Sequence, residues 1–315
     1  MSTRYISKLV LAAALVASPF VAKAGDVPVE KGVVEVDPWA DARRPISNPT
    51  LFDLAIPGTQ LHPLFIHNRM PDVVNTILGR VPVGGDFQVY AVQLEYALSD
   101  RLSINAVKDG YIDFNPNSTL TAADGWANIE AGLKYAWLLK PEQGLASNIQ
   151  LQYEIASGNS DVWQGEGDGI FTPSMSFLKL AGKLQLADQF GFRFPVDDSE
   201  TSVFYNSVHA SYAVTDWLFP LVELNVFHVL DAGDGSARFP EQAGGLVPAI
   251  ARFEGGDLVN LGAANTVDNF VSVAVGARAR LNSAIDVGFA WEFPLTDQDE
   301  GLMEDRFTVD MVIRF

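Results

Sequence analysis

The sequence predicts an all-β protein: a transmembrane antiparallel up-and-down β-barrel of about 12 strands, with about ten or fourteen as the alternatives. Three observations predict it. Apolar residues are dispersed in short runs of period two, the connections between those runs alternate between short and long, and the chain closes on "DRFTVDMVIRF". In that last stretch Phe307, Val309, Met311, Ile313 and Phe315 share one face, and Arg306, Thr308, Asp310, Val312 and Arg314 share the other. A period of two with unlike faces is a strand between two different environments.

The first 24 residues read as an export signal. Arg4 and Lys8 precede the apolar run "LVLAAALVASPFV", and Ala22-Lys23-Ala24 forms a small-residue cleavage site before Gly25. The run is too short to span a bilayer as a helix, and no other segment is long and apolar enough. Without this signal the chain carries a net charge of -21. So acidic a protein is no partner for nucleic acid. The lack of cysteine excludes disulfides, thiol catalysis and thiolate metal sites. Yet 48% of residues are hydrophobic, so the apolar content must sit in alternating strands.

Those strands follow in order from residue 59. "TQLHPLFIHNRM" (59–70) is the first candidate, although Pro63 cannot donate to a ladder. "QVYAVQLEYAL" turns Tyr90, Val92, Leu94, Tyr96 and Leu98 one way and Gln93 and Glu95 the other. "ANIEAGLKYAWL" sets Ile129, Leu133, Tyr135 and Trp137 against Glu130 and Lys134, and "SNIQLQYEI" sets Ile149, Leu151 and Tyr153 against Gln150, Gln152 and Glu154. "FVSVAVGARARL" and "IDVGFAWEF" repeat the pattern, with Arg278, Arg280, Asp286 and Glu292 on the polar side. Segments near 102–110, 175–186, 190–196, 203–214 and 217–230 show it less cleanly.

Short connections are expected at 98–102, 139–145, 187–190, 214–218 and 282–284, and longer ones near 111–125, 157–174, 197–202, 231–269 and 295–304. Short turns on one side and long loops on the other place the short turns in the periplasm. A sheet in lipid must close, because each bare N–H or C=O there costs several kcal/mol. The final strand is then expected to lie against the first. Its alternating apolar residues and terminal aromatic resemble the signal read by the outer-membrane barrel-assembly machinery. The expected location is the outer membrane, with lipid and lipopolysaccharide as surroundings. Tyr96, Tyr135, Trp137, Trp217, Trp291 and Phe293 fall near strand ends, as interface girdles would.

The expected lumen carries Arg101, Lys134, Lys179, Lys183, Arg193, Arg278, Arg280, Arg306 and Arg314 against Glu95, Glu130, Glu154, Glu223, Asp286, Glu292 and Asp310, with His209 beside them. Near balance of the two signs predicts ion pairs across neighbouring strands, lining a narrow pore or filling a closed interior. Residues 25–58 are acidic, contain prolines and lack a period. They form either a plug in the barrel mouth or a periplasmic tether, and the residues alone do not decide between them.

Few motifs suggest chemistry. His209-x-Ser211 resembles the His-x-Ser pair of outer-membrane phospholipases and lipid A deacylases, where a base activates a hydroxyl for acyl transfer. Tyr212 replaces the Asn that follows in those families, and the register turns His209 and Ser211 to the lumen rather than to lipid. No catalytic residue, cofactor or metal site is therefore assigned. The Asp/Gly stretches "DVWQGEGDGIF" and "LDAGDGSARF" lack the alternating ligands and closing acid of a calcium loop. His62 and His67, five apart, would point to opposite faces.

The region 59–315, through "YALSDRL", "YAVTDWL" and the terminal "VIRF", resembles the outer-membrane proteins of the meta-pathway of phenol degradation. That resemblance implies passive uptake of small hydrophobic or aromatic molecules, and carries over no binding residue. Two other functions remain open at this stage: a closed structural or adhesive barrel acting through its external loops, and a lipid-modifying acyl hydrolase.

Overall fold

The computed structural model describes residues 38–252, 269–297, 299 and 301–315. The expected signal segment and the start of the 25–58 segment lie outside the described residues. So does the 253–268 part of the expected long loop.

In chain order the strands are β1 (Gln60–Arg69), β2 (Val73–Thr76), β3 (Gly79–Pro82), β4 (Gly85–Ser99), β5 (Leu102–Lys108), β6 (Tyr111–Pro116), β7 (Ala123–Trp126) and β8 (Ile129–Lys140). They continue as β9 (Leu145–Ile155), β10 (Ile170–Ala181), β11 (Leu184–Pro195), β12 (Ser202–Tyr212), β13 (Leu218–Asp231), β14 (Asn269–Arg280), β15 (Ile285–Pro294) and β16 (Asp305–Arg314). Every pairing is antiparallel, and β1 closes the ring by pairing with both β16 and β4. Twelve strands form the barrel, with β6 and β7 rising above it and β2 and β3 forming a separate hairpin.

Pro63 sits at the closing seam. It pairs with Val92 of β4, while the β1–β16 ladder shows no partner for His62 or Pro63. A proline without an N–H fits where one ladder lapses.

β6 continues β5 through a bulge. Leu94 faces Ala106 and Tyr90 faces Tyr111, so residues 91–93 oppose 107–110. The extra residue turns both Val107 and Lys108 inward, against the alternation. Gly110, at φ 123°, takes the bend, where a Cβ would lie 2.8 Å from the Tyr90 carbonyl oxygen.

The strands alternate as the sequence predicts. Leu94, Tyr96, Leu133, Tyr135, Leu151, Val275, Phe289 and Val309 are exposed on the outer face. Aromatic residues ring both ends: Tyr96, Trp137 and Trp217 at the short-turn end, and the pairs Tyr111–Trp126 (5.2 Å) and Tyr153–Phe171 (4.7 Å) at the loop end. Phe307, Val309 and Phe315 are exposed and Met311 and Ile313 half-buried, opposite the buried Arg306, Thr308 and Asp310.

One turn lies elsewhere than expected. The connection between β10 and β11 is Gly182-Lys183, with Ala181 paired to Leu184, and 187–190 runs inside β11. Gly182, at φ 60°, supplies the left-handed backbone that so tight a turn needs. Asp188 and Gln189 read as turn residues, but the strand employs both. Asp188 accepts a hydrogen bond from Asn206 Nδ2 (2.7 Å) on the outer side, and Gln189 is buried inside.

Loops at the far end fold over the mouth. Met70, Val83, Phe114, Trp163, Phe239 and Leu302 belong to one buried apolar cluster drawn from several connections.

Candidate functional site

The candidate site is the barrel interior, and a segment of the chain already occupies it. Residues 42–55 are buried without exception, in irregular backbone. A segment without secondary structure must place its backbone groups elsewhere. Here the barrel wall takes them. Gln185 of β11 accepts from Arg43 N–H (2.8 Å) and returns a bond from Nε2 to the Arg43 carbonyl (2.6 Å). Glu223 of β13 accepts from Ile46 N–H (3.0 Å) and Ser47 N–H (2.7 Å). Gln189 accepts from Asp53 N–H (2.8 Å), and Gln93 of β4 donates to the Pro49 carbonyl (2.9 Å). Arg278 of β14 donates to the Arg44 carbonyl (2.9 Å), and Asn148 of β9 to that of Leu54 (3.3 Å).

Three charge clusters tie the segment to the wall. In the first, Asp53 pairs with Arg44 (2.6 Å) and with Lys134. Lys134 in turn pairs with Glu95 (2.9 Å), which also accepts from Ser103 Oγ (2.6 Å). In the second, Arg278 meets Asp310 at 2.6 Å, and His62 lies 2.7 Å from both Asp310 and Gln93. In the third, Glu223 lies 2.7 Å from His209 Nδ1, and His209 Nε2 lies 2.9 Å from Ser211 Oγ. Arg43 Nε donates to that same Ser211 oxygen (3.0 Å). The Glu223–His209–Ser211 row has the order of a catalytic triad, but all three side chains are buried and Arg43 covers the hydroxyl.

The second cluster depends on a glycine. Arg278, Gly288 and Asp310 are in register across three strands. A Cβ at Gly288 would lie 2.5 Å from Asp310 Oδ1 and 2.6 Å from Ile46 Cδ1. The missing side chain lets the ion pair form over β15 and lets Ile46 seat against Leu221, Ala274 and Ala290.

A fourth cluster sits nearer the loops. Glu154 accepts from Lys108 (2.5 Å), Arg193 (2.8 Å) and Asn128 (2.8 Å), with Glu130 opposite it on β8. Asn225 and Ser272 bond Glu292 (2.8 and 2.5 Å), whose other oxygen is 3.7 Å from Arg306. At the short-turn end Arg314 (2.5 Å) and Arg280 (3.4 Å) pair with the buried Asp286.

Of the residues expected in the lumen, Glu95, Glu130, Lys134, Glu154, Arg193, His209, Glu223, Arg278, Asp286, Glu292, Arg306 and Asp310 are buried inside. Arg280 and Arg314 are half-buried at the rim. Three lie outside. Arg101 is exposed in the β4–β5 turn, where it donates to the Ala136 carbonyl (2.9 Å). Lys179 and Lys183 are exposed because the true position of the β10–β11 turn reverses that part of the register, turning Leu178 inward instead. His62 is buried inside, while His67 is half-buried on the other face.

Sequence reading placed Gln93 beside Glu95 on the inner face without giving it a role, and missed Arg43, Arg44 and Asp53 within the irregular segment, the amides Gln185 and Gln189, and Lys108. The Lys-Asp-Gly run at 108–110 is the signal for Lys108, since Asp-Gly marks a bulge or turn.

No protein-family model and no curated protein matches the sequence. Among solved structures, the crystal structure of the COG4313 outer membrane channel from Pseudomonas putida F1 aligns with 82% of this chain and 96% of its own, at 12% identity and a TM-score of 0.57. The NanC porin aligns with 82% of this chain and all of its own, at 6% identity and a TM-score of 0.48. The KdgM porin in complex with a disordered oligogalacturonate covers 81% of this chain and 99% of its own, at 9% identity and a TM-score of 0.45. At such identities the likeness is one of fold, and the fold is that of an outer-membrane β-barrel.

Proposed function

We propose that the protein is an outer-membrane channel for passive uptake of small molecules, held shut in this structure by its own segment 42–55. The observation that carries the reading is the mode of attachment: the segment is buried throughout, yet hydrogen bonds and ion pairs fix most of its polar groups. Polar groups that let go recover water, so each attachment contributes only about 0.5–1.5 kcal/mol net where neutral and about 1.5–3 kcal/mol where charged. A segment held in this way can leave and return, whereas a permanent filling would gain more from an apolar core.

The resemblance to the phenol meta-pathway barrels taken alone suggests a hydrophobic or aromatic solute, and the lining of the barrel interior favours a different one. No catalytic role is assigned to the Glu223–His209–Ser211 row, whose carboxylate is engaged by the Ile46 and Ser47 N–H groups and whose hydroxyl is covered by Arg43. The runner-up is a closed barrel acting through its external loops, favoured by the apolar cluster under those loops.

Single-channel recording of the refolded mature protein, with and without residues 25–58, separates the two. Steady current from the shortened chain, with folding checked by heat-modifiable gel mobility, supports the channel. Silence from both folded chains supports the closed barrel.

A further inference from the structure

We infer that the barrel interior is a binding site for a short peptide, and that residues 43–54, folded back so that Arg44 meets Asp53, occupy it as an internal surrogate for that ligand. The inference rests on the channel reading, because the segment must vacate the site before a solute can enter.

The wall reads main chain. Gln185 matches the N–H and the C=O of one residue, Arg43, with its own C=O and NH2. That is the pairing one strand offers another. Gln93, Asn148, Gln189, Glu223 and Arg278 each take a further backbone group of the segment. These six side chains come from β4, β9, β11, β13 and β14, so the grip encircles the segment. Contacts to main chain select for the peptide repeat rather than for one side-chain sequence.

Between these polar contacts the wall supplies apolar seats. Ile46 packs on Leu221, Ala274 and Ala290 over Gly288, and Leu51 packs on Val203, Tyr205 and Phe227. Phe52 and Leu54 lie with Leu178 and Ala187. In a peptide site the backbone contacts supply affinity and the side-chain seats supply choice.

Other solutes fit this lining less well. A phenol brings one polar group and would leave most of the wall amides unpaired, at about 1–3 kcal/mol for each buried one. A sugar brings hydroxyls but nothing for the apolar seats. A peptide brings both.

The test uses the full mature chain carrying Ser47→Cys, unique because the protein has no other cysteine. Asn48→Cys serves as a second position, and heat-modifiable mobility checks the folding of each. The rate at which a small water-soluble maleimide modifies the introduced thiol reports release of the segment. The probes are a synthetic peptide of residues 43–54, the same peptide with N-methylated backbone amides, a disaccharide and phenol.

The inference expects a severalfold, saturable acceleration with the unmodified peptide alone. It is overturned if the N-methylated peptide acts equally, or if phenol or the disaccharide accelerates labelling and the peptide does not. Currents from the full chain with spontaneous labelling that no peptide changes would overturn this inference and leave the channel standing. A thiol that never reacts, in a protein silent both with and without residues 25–58, would overturn both.

Discussion

Glu223 of β13 accepts the backbone N–H of Ser47 at 2.7 Å, from a position 176 residues along the chain. The same carboxylate takes the N–H of Ile46 and lies 2.7 Å from His209. It therefore joins the wall to two consecutive residues of the inserted segment.

Glu223→Ala removes two charge-assisted bonds, each contributing about 1.5–3 kcal/mol. The expected result is a segment that detaches while the barrel remains closed by its strands. Single-channel recording should show a higher open fraction than the wild type, and Glu223→Gln should fall between the two.

Lys134 has no exposed surface and bridges Asp53 and Glu95. Replacing it by Met leaves the buried Glu95 without its cation, while Asp53 keeps Arg44, and costs about 3–5 kcal/mol. Adding Glu95→Gln should return most of that loss, because the stranded charge goes with its partner. Denaturant midpoints in detergent test the cycle.

Gly288→Ala places a methyl group where Ile46 Cδ1 and Asp310 Oδ1 already lie. Overpacking of this kind costs about 1–3 kcal/mol. Ile46→Ala alone leaves a void, but in combination with Gly288→Ala it should recover stability. Strict additivity of the two losses would show that the contact does not exist.

Lys179→Ala and Lys183→Ala should each change stability by no more than about 0.5 kcal/mol, since both side chains are exposed. Arg193→Ala strips Glu154 of a buried partner 2.8 Å away and should cost about 3 kcal/mol or more. Melting by heat-modifiable mobility distinguishes the two classes.

Asp197, in the loop between β11 and β12, joins that loop to the one between β9 and β10. Partial burial pushes its carboxyl up, but Ser199 N–H and Oγ and Asp168 N–H (2.7 Å) all donate to it and hold it below the usual carboxylate range. A depressed value means that the link is fully present above the ordinary aspartate range and fails as pH falls through the lowered one. Amide exchange at Asp168 and Ser199 should therefore stay slow at about pH 5 and quicken only in stronger acid, below the ordinary aspartate value. Quickening already between about pH 6 and 5 would contradict this, since an ordinary aspartate is still ionised there.

Much of the barrel was legible because lipid enforces a strict alternation. Leu94, Tyr96, Leu133 and Val309 announce an outer face, and each fixes the inward direction of its neighbours. Glu95, Lys134 and Asp310 follow from that rule without any knowledge of their partners. The rule fails where the alternation itself breaks. Lys108 turns inward through a bulge, and Lys179 and Lys183 turn outward because a two-residue turn at Gly182 stands where the sequence offers Asp188-Gln189 as a rival. The choice between plug and tether for the segment before β1 was illegible for a different reason. The segment's order comes from contacts with Gln185, Glu223 and Arg278, more than a hundred residues away, and local periodicity carries no trace of them.

The most direct test of closure by the segment uses the mature chain with Ser47→Cys and Asn225→Cys, whose native side chains meet at 3.0 Å. Oxidation should tie the segment to β13, and reduction should free it. Single-channel recording is predicted to be silent in oxidant and to show steps once reductant is added to the same bilayer. Currents of equal size and frequency in both states, or silence in both, would contradict the account.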